Sequence, residues 1–424
     1  QELSHKIDLL NAREFAELYV DARNNSYWAY CQKGGVPYDP TDDNATRIAK
    51  LAAVGINQST TIIVSPFFWD FSKNDYASTA FMYDTDWQDE YFSRAGMARH
   101  NVSINGGSKN LKYMASLGYL DQDGIISPSG HKQINARINL DAQVTKKLSV
   151  SVNYAMTDAK TREVKTYGRS NSGGENGDGY YGATQGTIVA IPNFPAYNTI
   201  ENLATQPWAI DANTGVLTAD VWASYNTPGT LARSWMNFFA NKYDFNSSES
   251  PLVVANDIKI NRVRVRNNLS MAATYELIKD LKIKLQIGRM WNNEEYSKFR
   301  PNSVGAGKNY AYAAALETSN HYAISSTSKD EDSLGELTVN YKKAFAGKHR
   351  IDALAGYTMQ DHTVNRIGIQ ALQFSDNRIE DISATIDPNA VREYDVTRYE
   401  YTLISYLGRL NYSYSDRYTV TGSF

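Results

Sequence analysis

Cysteine is almost missing from this sequence of 424 residues, in which Cys31 stands alone. An internal disulfide framework and a cysteine-rich zinc site are thereby excluded, so the fold must rest on burial and backbone pairing. A surplus of positive charge is missing too. Lys and Arg number 43 against 46 Asp and Glu, a net charge of -3, which leaves nothing to grip a phosphate backbone and sets nucleic acid aside as a partner. Proline is scarce at 11 residues and the charged fraction is 21%, which fits neither a collagenous nor a disordered chain. No apolar run is clean enough to cross a bilayer as a helix. The uncharged stretch Leu51 to Trp69 has the length but carries Gly55, Asn57, Gln58, Ser65 and Pro66. No leader pattern opens the chain, and its last residues, Thr419 to Phe424, alternate like a strand still running, so it reads as part of a longer chain.

Aromatic residues, by contrast, are plentiful: 30 Tyr, 14 Phe and 7 Trp. Near the start, Asn11 and Glu14 form a capping-box pattern, and Phe15, Leu18, Tyr19 and Ala22 follow helical spacing. Thereafter the period changes to two. From Gln133 to Val144, Ile134, Ala136, Ile138, Leu140, Ala142 and Val144 hold the even positions and polar residues hold the odd ones, the pattern of a strand with one dry and one wet face. The same alternation returns from Leu148 to Tyr154, Val263 to Tyr275, Leu281 to Ile287 and Leu410 to Val420.

Two kinds of connection alternate along these strands. Short turns fall at Ser108 to Asn110, Thr145 to Lys147, Ile278 to Asp280, Ala344 to Lys348 and Ser415 to Arg417. Longer polar connections are expected at Asp121 to His131, Asp158 to Asp257, Asn292 to Asn320 and Asp361 to Arg398. A soluble sandwich has no reason to sort its turns in this way, whereas an outer-membrane barrel keeps short turns on the periplasmic side and long loops outside. Arg262, Arg264 and Arg266 share one strand face, and at about 2–4 kcal/mol each against lipid they must face a wet lumen or lie beyond the membrane. Arg289 falls on the apolar parity, and is expected near the outer interface beside Trp291. Tyr275, Tyr341, Tyr412, Tyr414 and Tyr418 sit close to short turns, where an interfacial aromatic girdle belongs.

Three ordered blocks then carry a resemblance. Thr85-Asp86-Trp87-Gln88-Asp89-Glu90, the run His100 to Gly107 and the run Ala115 to Ile126 resemble the early barrel of SusC/RagA-type TonB-linked outer-membrane transporters. Ser405 to Tyr418 is similar to a later hairpin of that family, and Leu10 to Phe15 to its leading helix. The resemblance implies an all-β fold, part of a 22-stranded transmembrane antiparallel barrel with long extracellular loops and a short helix near the start. It implies a leading helix and first extracellular loop region over 1–98 and barrel strands over 99–424, with 158–257 the longest loop. The family's plug domain and the second half of its barrel would lie outside this sequence. It also implies TonB-driven import of an oligosaccharide or peptide, a SusD-like surface lipoprotein as lid, and a place in the outer membrane of a Gram-negative bacterium.

Enzymatic signatures are thin. The six histidines show no metal-ligand spacing, neither H-E-x-x-H nor G-x-S-x-G occurs, and no catalytic residue, metal or cofactor is expected. Gly177 to Gly182 matches G-x-G-x-x-G but follows a polar tract rather than a strand, so it reads as a loop. Asp84, Asp86 and Asp89 read as helix-capping or solvated groups rather than cation ligands. The connection after Asp158 carries Tyr180, Tyr181, Trp208, Trp222 and Trp235, which could pack into a loop minidomain, bury against the lid protein or stack on ligand, in that order. The cluster Phe67-Phe68-Trp69-Asp70-Phe71 is weighed the same way. A transporter, a binding or adhesion barrel without transport, and a soluble carbohydrate-active β-protein are the competing classes; the last would need a carboxylate pair that the sequence does not reveal.

Overall fold

A computed structural model describes residues 2–58, 60–166, 182–201, 228–232, 250–301, 322–372, 374, 379–385 and 388–424. Helix α1 (Ala12–Gly34) starts at the expected capping box, with Asn11 accepting from the Glu14 amide and Glu14 accepting from the Asn11 amide, both at 3.0 Å. It ends at Gly35, whose φ of 64° is the left-handed conformation that closes a helix without a Cβ clash. Helix α2 (Asn44–Ala52) is capped by Asp43, which accepts from the Thr46 amide at 2.8 Å. The one cysteine, Cys31, is fully buried with Tyr27, Leu51 and Ile62 between these helices. A two-strand hairpin, β1 (Trp69–Asp70) and β2 (Asp75–Tyr76), and helix α3 (Trp87–Tyr91) complete this region.

The remainder is dominated by one antiparallel sheet of ten strands in sequential order. Its strands are β3 (Met97–Gly107), β4 (Leu111–Asp123), β5 (Gly130–Gln143), β6 (Leu148–Glu163), β7 (Lys259–Ile278), β8 (Leu281–Arg300), β9 (Tyr322–Phe345), β10 (His349–Leu372), β11 (Val391–Tyr414) and β12 (Tyr418–Ser423). The short turns fall where the sequence placed them. The long connections do not begin where expected, because β6 runs to Glu163, β8 to Arg300 and β10 to Leu372. Among the described residues of the connection expected to be the longest loop, Ala183–Val189 (α4) and Pro251–Asp257 are short helices. Among the described residues, no helix is long and apolar enough to cross a membrane.

Register sorts the side chains onto two faces. Leu117, Ile138, Tyr154, Leu269, Leu285, Ile287, Tyr357, Met359, Ile404 and Tyr406 share one face, several of them highly exposed, such as Ile138 at 52% and Tyr406 at 73%. An exposed apolar band running across ten strands is what a lipid-facing wall needs and a soluble protein avoids. At its short-turn end, Tyr275, Tyr341, Tyr412, Tyr414 and Tyr418 lie on this same face, with His349 stacked on Phe345 and bonded to the Tyr412 hydroxyl at 2.6 Å. Arg289 is on the apolar face as its parity required, and it is not alone there. It donates to Glu331 at 3.1 Å and its guanidinium lies 6.0 Å from the Trp291 ring centroid.

The largest hydrophobic core lies at the opposite end, beyond the long-connection ends of the strands. It joins Ala16, Tyr19, Val20, Phe67, Phe68, Trp87 and Tyr91 to Ala183, Ile191, Phe194, Leu252, Val253, Val254 and Ile260. Phe67 and Phe68 are thus core residues, packed edge-on to each other and against Phe194 and Tyr19.

Candidate ligand-facing wall

Opposite the apolar band, the sheet presents a polar face. Arg262, Arg264 and Arg266 alternate along β7 and all project to it, as Thr161, Ala159 and Thr157 opposite them on β6 do. Glu294 on β8 pairs with both Arg262 and Arg264, receiving the Nε of Arg264 at 2.9 Å. Glu163 takes the Nε of Arg262 at 2.8 Å, and the Tyr296 ring lies under the same guanidinium at 5.0 Å. Two of the three arginines are therefore neutralised within the wall. Arg266 has no carboxylate partner among the described residues.

These arginines line a cavity of about 220 Å³ together with His131, Gln133, Thr157, Ala159 and Thr161. His131 is held at both ring nitrogens, by the Thr161 hydroxyl at 2.8 Å and the Gln133 side-chain oxygen at 3.0 Å. Pockets for drug-sized ligands run to about 300–1,000 Å³, so this hollow has room for no more than one ring or one residue. It offers hydrogen bonds to hydroxyl and carboxylate groups, which is binding chemistry rather than bond-breaking chemistry. Further along the same face, Asp330 and Asp332 on β9 converge with His362 on β10. The sequence reading singled out none of these three, nor Glu294 and Glu163.

At the long-connection end, the block Thr85 to Glu90 acts as an anchor. Asp86 caps α3 by accepting from the Gln88 and Asp89 amides, so its helix-capping role holds. The Trp87 indole donates to the Ile191 carbonyl at 3.0 Å, and the Thr85 hydroxyl donates to the Phe194 carbonyl at 2.6 Å. Asp84 accepts from the Ala12 amide at 2.8 Å and Asp89 pairs with Lys6. From the other side, the Asn193 amide donates to the Ala12 and Ala80 carbonyls, each at 2.7 Å. Tyr91 bonds the Thr184 hydroxyl at 3.0 Å, and burial pushes its own hydroxyl up to about 12, so it stays protonated. A cleft of about 760 Å³ opens beside this anchor, between residues 6–11, 84–88 and 187–192. Tyr180, Tyr181, Trp208, Trp222 and Trp235 lie outside the described residues, as do Gly177 and Gly179.

With this geometry in place, comparison with known proteins is informative. No protein-family model matches the chain. The TonB-dependent receptor SusC of Bacteroides thetaiotaomicron is 28% identical over 349 residues, covering 80% of this chain and 29% of that protein. TonB-dependent receptor P3 of Formosa agariphila is 25% identical over 343 residues, with the same 80% and 29% coverage. This chain therefore spans under a third of the curated relatives it matches. Among solved structures, the RagAB peptide transporter superposes over 100% of this chain and 40% of its own, with a TM-score of 0.61 at 21% identity. The RagAB peptide importer in its closed-closed state gives 0.57 over 81% of this chain and 33% of its own, at 22% identity. Sequence relatives and fold agree with the sidedness of the sheet: the chain is similar in sequence to TonB-dependent receptors, SusC among them, and shares the fold of the RagAB barrel.

Proposed function

We propose that the protein containing this segment imports a nutrient across the outer membrane of a Gram-negative bacterium, driven by TonB. In this reading residues 99–424 are barrel wall, residues 1–98 belong to the first extracellular loop region, and the polar face is the lumen. The observation that carries it is the division of the sheet into an apolar band and a polar face, with the short turns gathered at one end. The solute is an oligosaccharide or a peptide, and a SusD-like lipoprotein covers the extracellular side. The curated relatives carry the name TonB-dependent receptor, and RagAB is described as a peptide importer, which supports the class while leaving the choice of solute open. Arg262, Arg264 and Arg266 then face the lumen. Trp208, Trp222 and Trp235, with Tyr180 and Tyr181, are proposed contacts to solute or lid in the extracellular connection.

Two measurements on the full-length protein in cells test this. Cysteine placed at exposed Asp381 should react with an impermeant thiol reagent, whereas cysteine at Lys146 or Asp416 should not; labelling at Lys146 with an intact outer membrane overturns the orientation. Solute accumulation should vanish in cells lacking TonB while surface binding persists. The competing reading, a binding or adhesion barrel, requires that TonB make no difference.

A further inference from the structure

We propose that Asp330, Asp332 and His362 form a binding site for a divalent transition cation of the zinc class on the polar wall. The hairpin of β9 and β10 places Asp332 directly opposite His362, with Asp330 two residues on along the same face. One ligand atom from each of the three lies within 4.8 Å of the others. The roles of the two imidazole nitrogens differ. Nδ1 stands 2.9 Å from the Asp332 carboxylate, a hydrogen-bond distance, so Nδ1–H donates to Asp332 and the Nε2 lone pair is left facing outward from that bond. Facing it at 3.8 Å is an Asp330 carboxylate oxygen.

That second distance is the informative one. A proton shared between Nε2 and the carboxylate would draw them to about 2.7–2.9 Å. Two ligands of one ion, each about 2.0–2.2 Å from it, stand at most about 4.4 Å apart, and the observed gap falls inside that limit. Among the described residues the Asp330 oxygen is also buried without a hydrogen-bond partner, as is the side-chain oxygen of Asn292, its register partner on β8. A buried carboxylate oxygen facing the lone pair of an imidazole needs a positive centre between them, and a bound cation supplies one. Asp332 then fulfils the positioning role that a carboxylate plays behind a metal-bound histidine, fixing its tautomer and ring orientation. The rings of Tyr401 and Tyr399, at 5.0 and 5.7 Å from the imidazole, wall the site on the β11 side. A single imidazole with oxygen ligands suits zinc, manganese or nickel better than calcium or magnesium, which take oxygen alone.

The test uses the full-length protein, purified in detergent, stripped with chelator and titrated with zinc against a chromophoric competitor. One ion per barrel is expected, with affinity at least tenfold lower in Asp330→Asn and His362→Ala, and about tenfold or more lower in Asp332→Asn. His100→Ala, on the apolar face, should bind as the parent does. Heat-modifiable gel mobility reports folding of each variant. A readout that needs no variant is chemical modification of His362 by diethyl pyrocarbonate, mapped by mass spectrometry, which zinc should slow while leaving His100 unaffected. Absence of saturable binding, equal affinity in Asp330→Asn and His362→Ala to that of the parent, or an unchanged rate of His362 modification would each overturn the assignment.

Discussion

Ile138→Arg puts the sidedness of the wall to its hardest test. Ile138 is the middle of five apolar-face residues on β5, between Ala142 at the short-turn end and Ile134 beyond. At about 3.4 Å per residue and a tilt near 45°, each residue climbs about 2.4 Å, so Ile138 lies about 10 Å above Ala142. That depth is close to the middle of an apolar band about 25 Å tall, where Arg costs about 2–4 kcal/mol. Nothing nearby relieves the charge. The cross-strand neighbours are Ala115 and Tyr154, and the same-face neighbours along the strand are Ala136 and Leu140. Arg289 survives on this face only with Glu331 and Trp291 beside it. The folded-to-unfolded ratio should therefore fall by about 30-fold to 1,000-fold, since each 1.4 kcal/mol is a factor of about ten. Asn139→Arg, one residue along and on the polar face, should change it little. Folding of the full-length protein into lipid vesicles across a urea series, scored by heat-modifiable mobility, measures both. Equal losses from the two variants would refute the assignment of faces.

Three further outcomes are expected. Glu294→Gln frees Arg264 from its carboxylate while Glu163 still holds Arg262, so it should cost about 1.5–3 kcal/mol in urea stability, the worth of charge-assisted bonds, and tighten binding of anionic solute analogues by equilibrium titration. Trp87→Phe removes the indole donor and leaves the Ile191 carbonyl only the long 3.4 Å bond from the Phe194 amide, at a cost of about 1 kcal/mol, which should appear as faster limited proteolysis within residues 1–98 and leave the sheet intact. Hydrogen bonds from Ser72 and the nearby Lys73 hold the Asp70 carboxyl down from 3.8 to about 2, so its contribution is complete above pH 3.8 and is lost as pH falls towards 2; Asp70→Asn should flatten that part of a proteolysis-against-pH profile.

Where the chain alternates, the strands could be read directly. The faces of β5, β6, β7 and β8, and the short turns between strands, follow from dry and wet positions two residues apart. Their upper reaches could not be read that way. From Asn292 to Arg300, from Ser325 to Asp332 and from Asp361 to Asn365 both faces carry polar groups, yet the backbone ladder continues unbroken. Alternation reports a boundary between lipid and water, not hydrogen bonding, and it fades once both sides of a strand are wet. The convergence of Asp330 and Asp332 on His362 went unseen for a related reason. Equal steps back from the Ala346 to Lys348 turn bring Asp332 opposite His362, but only if β9 is known to be extended that far. Asn11 and Glu14 show the opposite case, because a capping box is a local signal and needs no distant partner.

The shared core at the long-connection end also orders the events of folding. Helix α1 has its cap and its turn chemistry within its own sequence, but the surfaces that bury Ala16, Tyr19 and Val20 include residues from Ala183 to Ile260. Those residues reach the helix only once β3 to β7 have paired and brought both ends of the β6 to β7 connection into place. Closing so long a stretch of chain carries its entropic cost before any apolar contact repays it, which makes such contacts slow to form. Helix α1 is thus assembled early as local structure and consolidated late. On this reasoning the sheet is expected to zip first, and the cap of the molecule, built from its beginning and its middle, to lock after the wall beneath it stands.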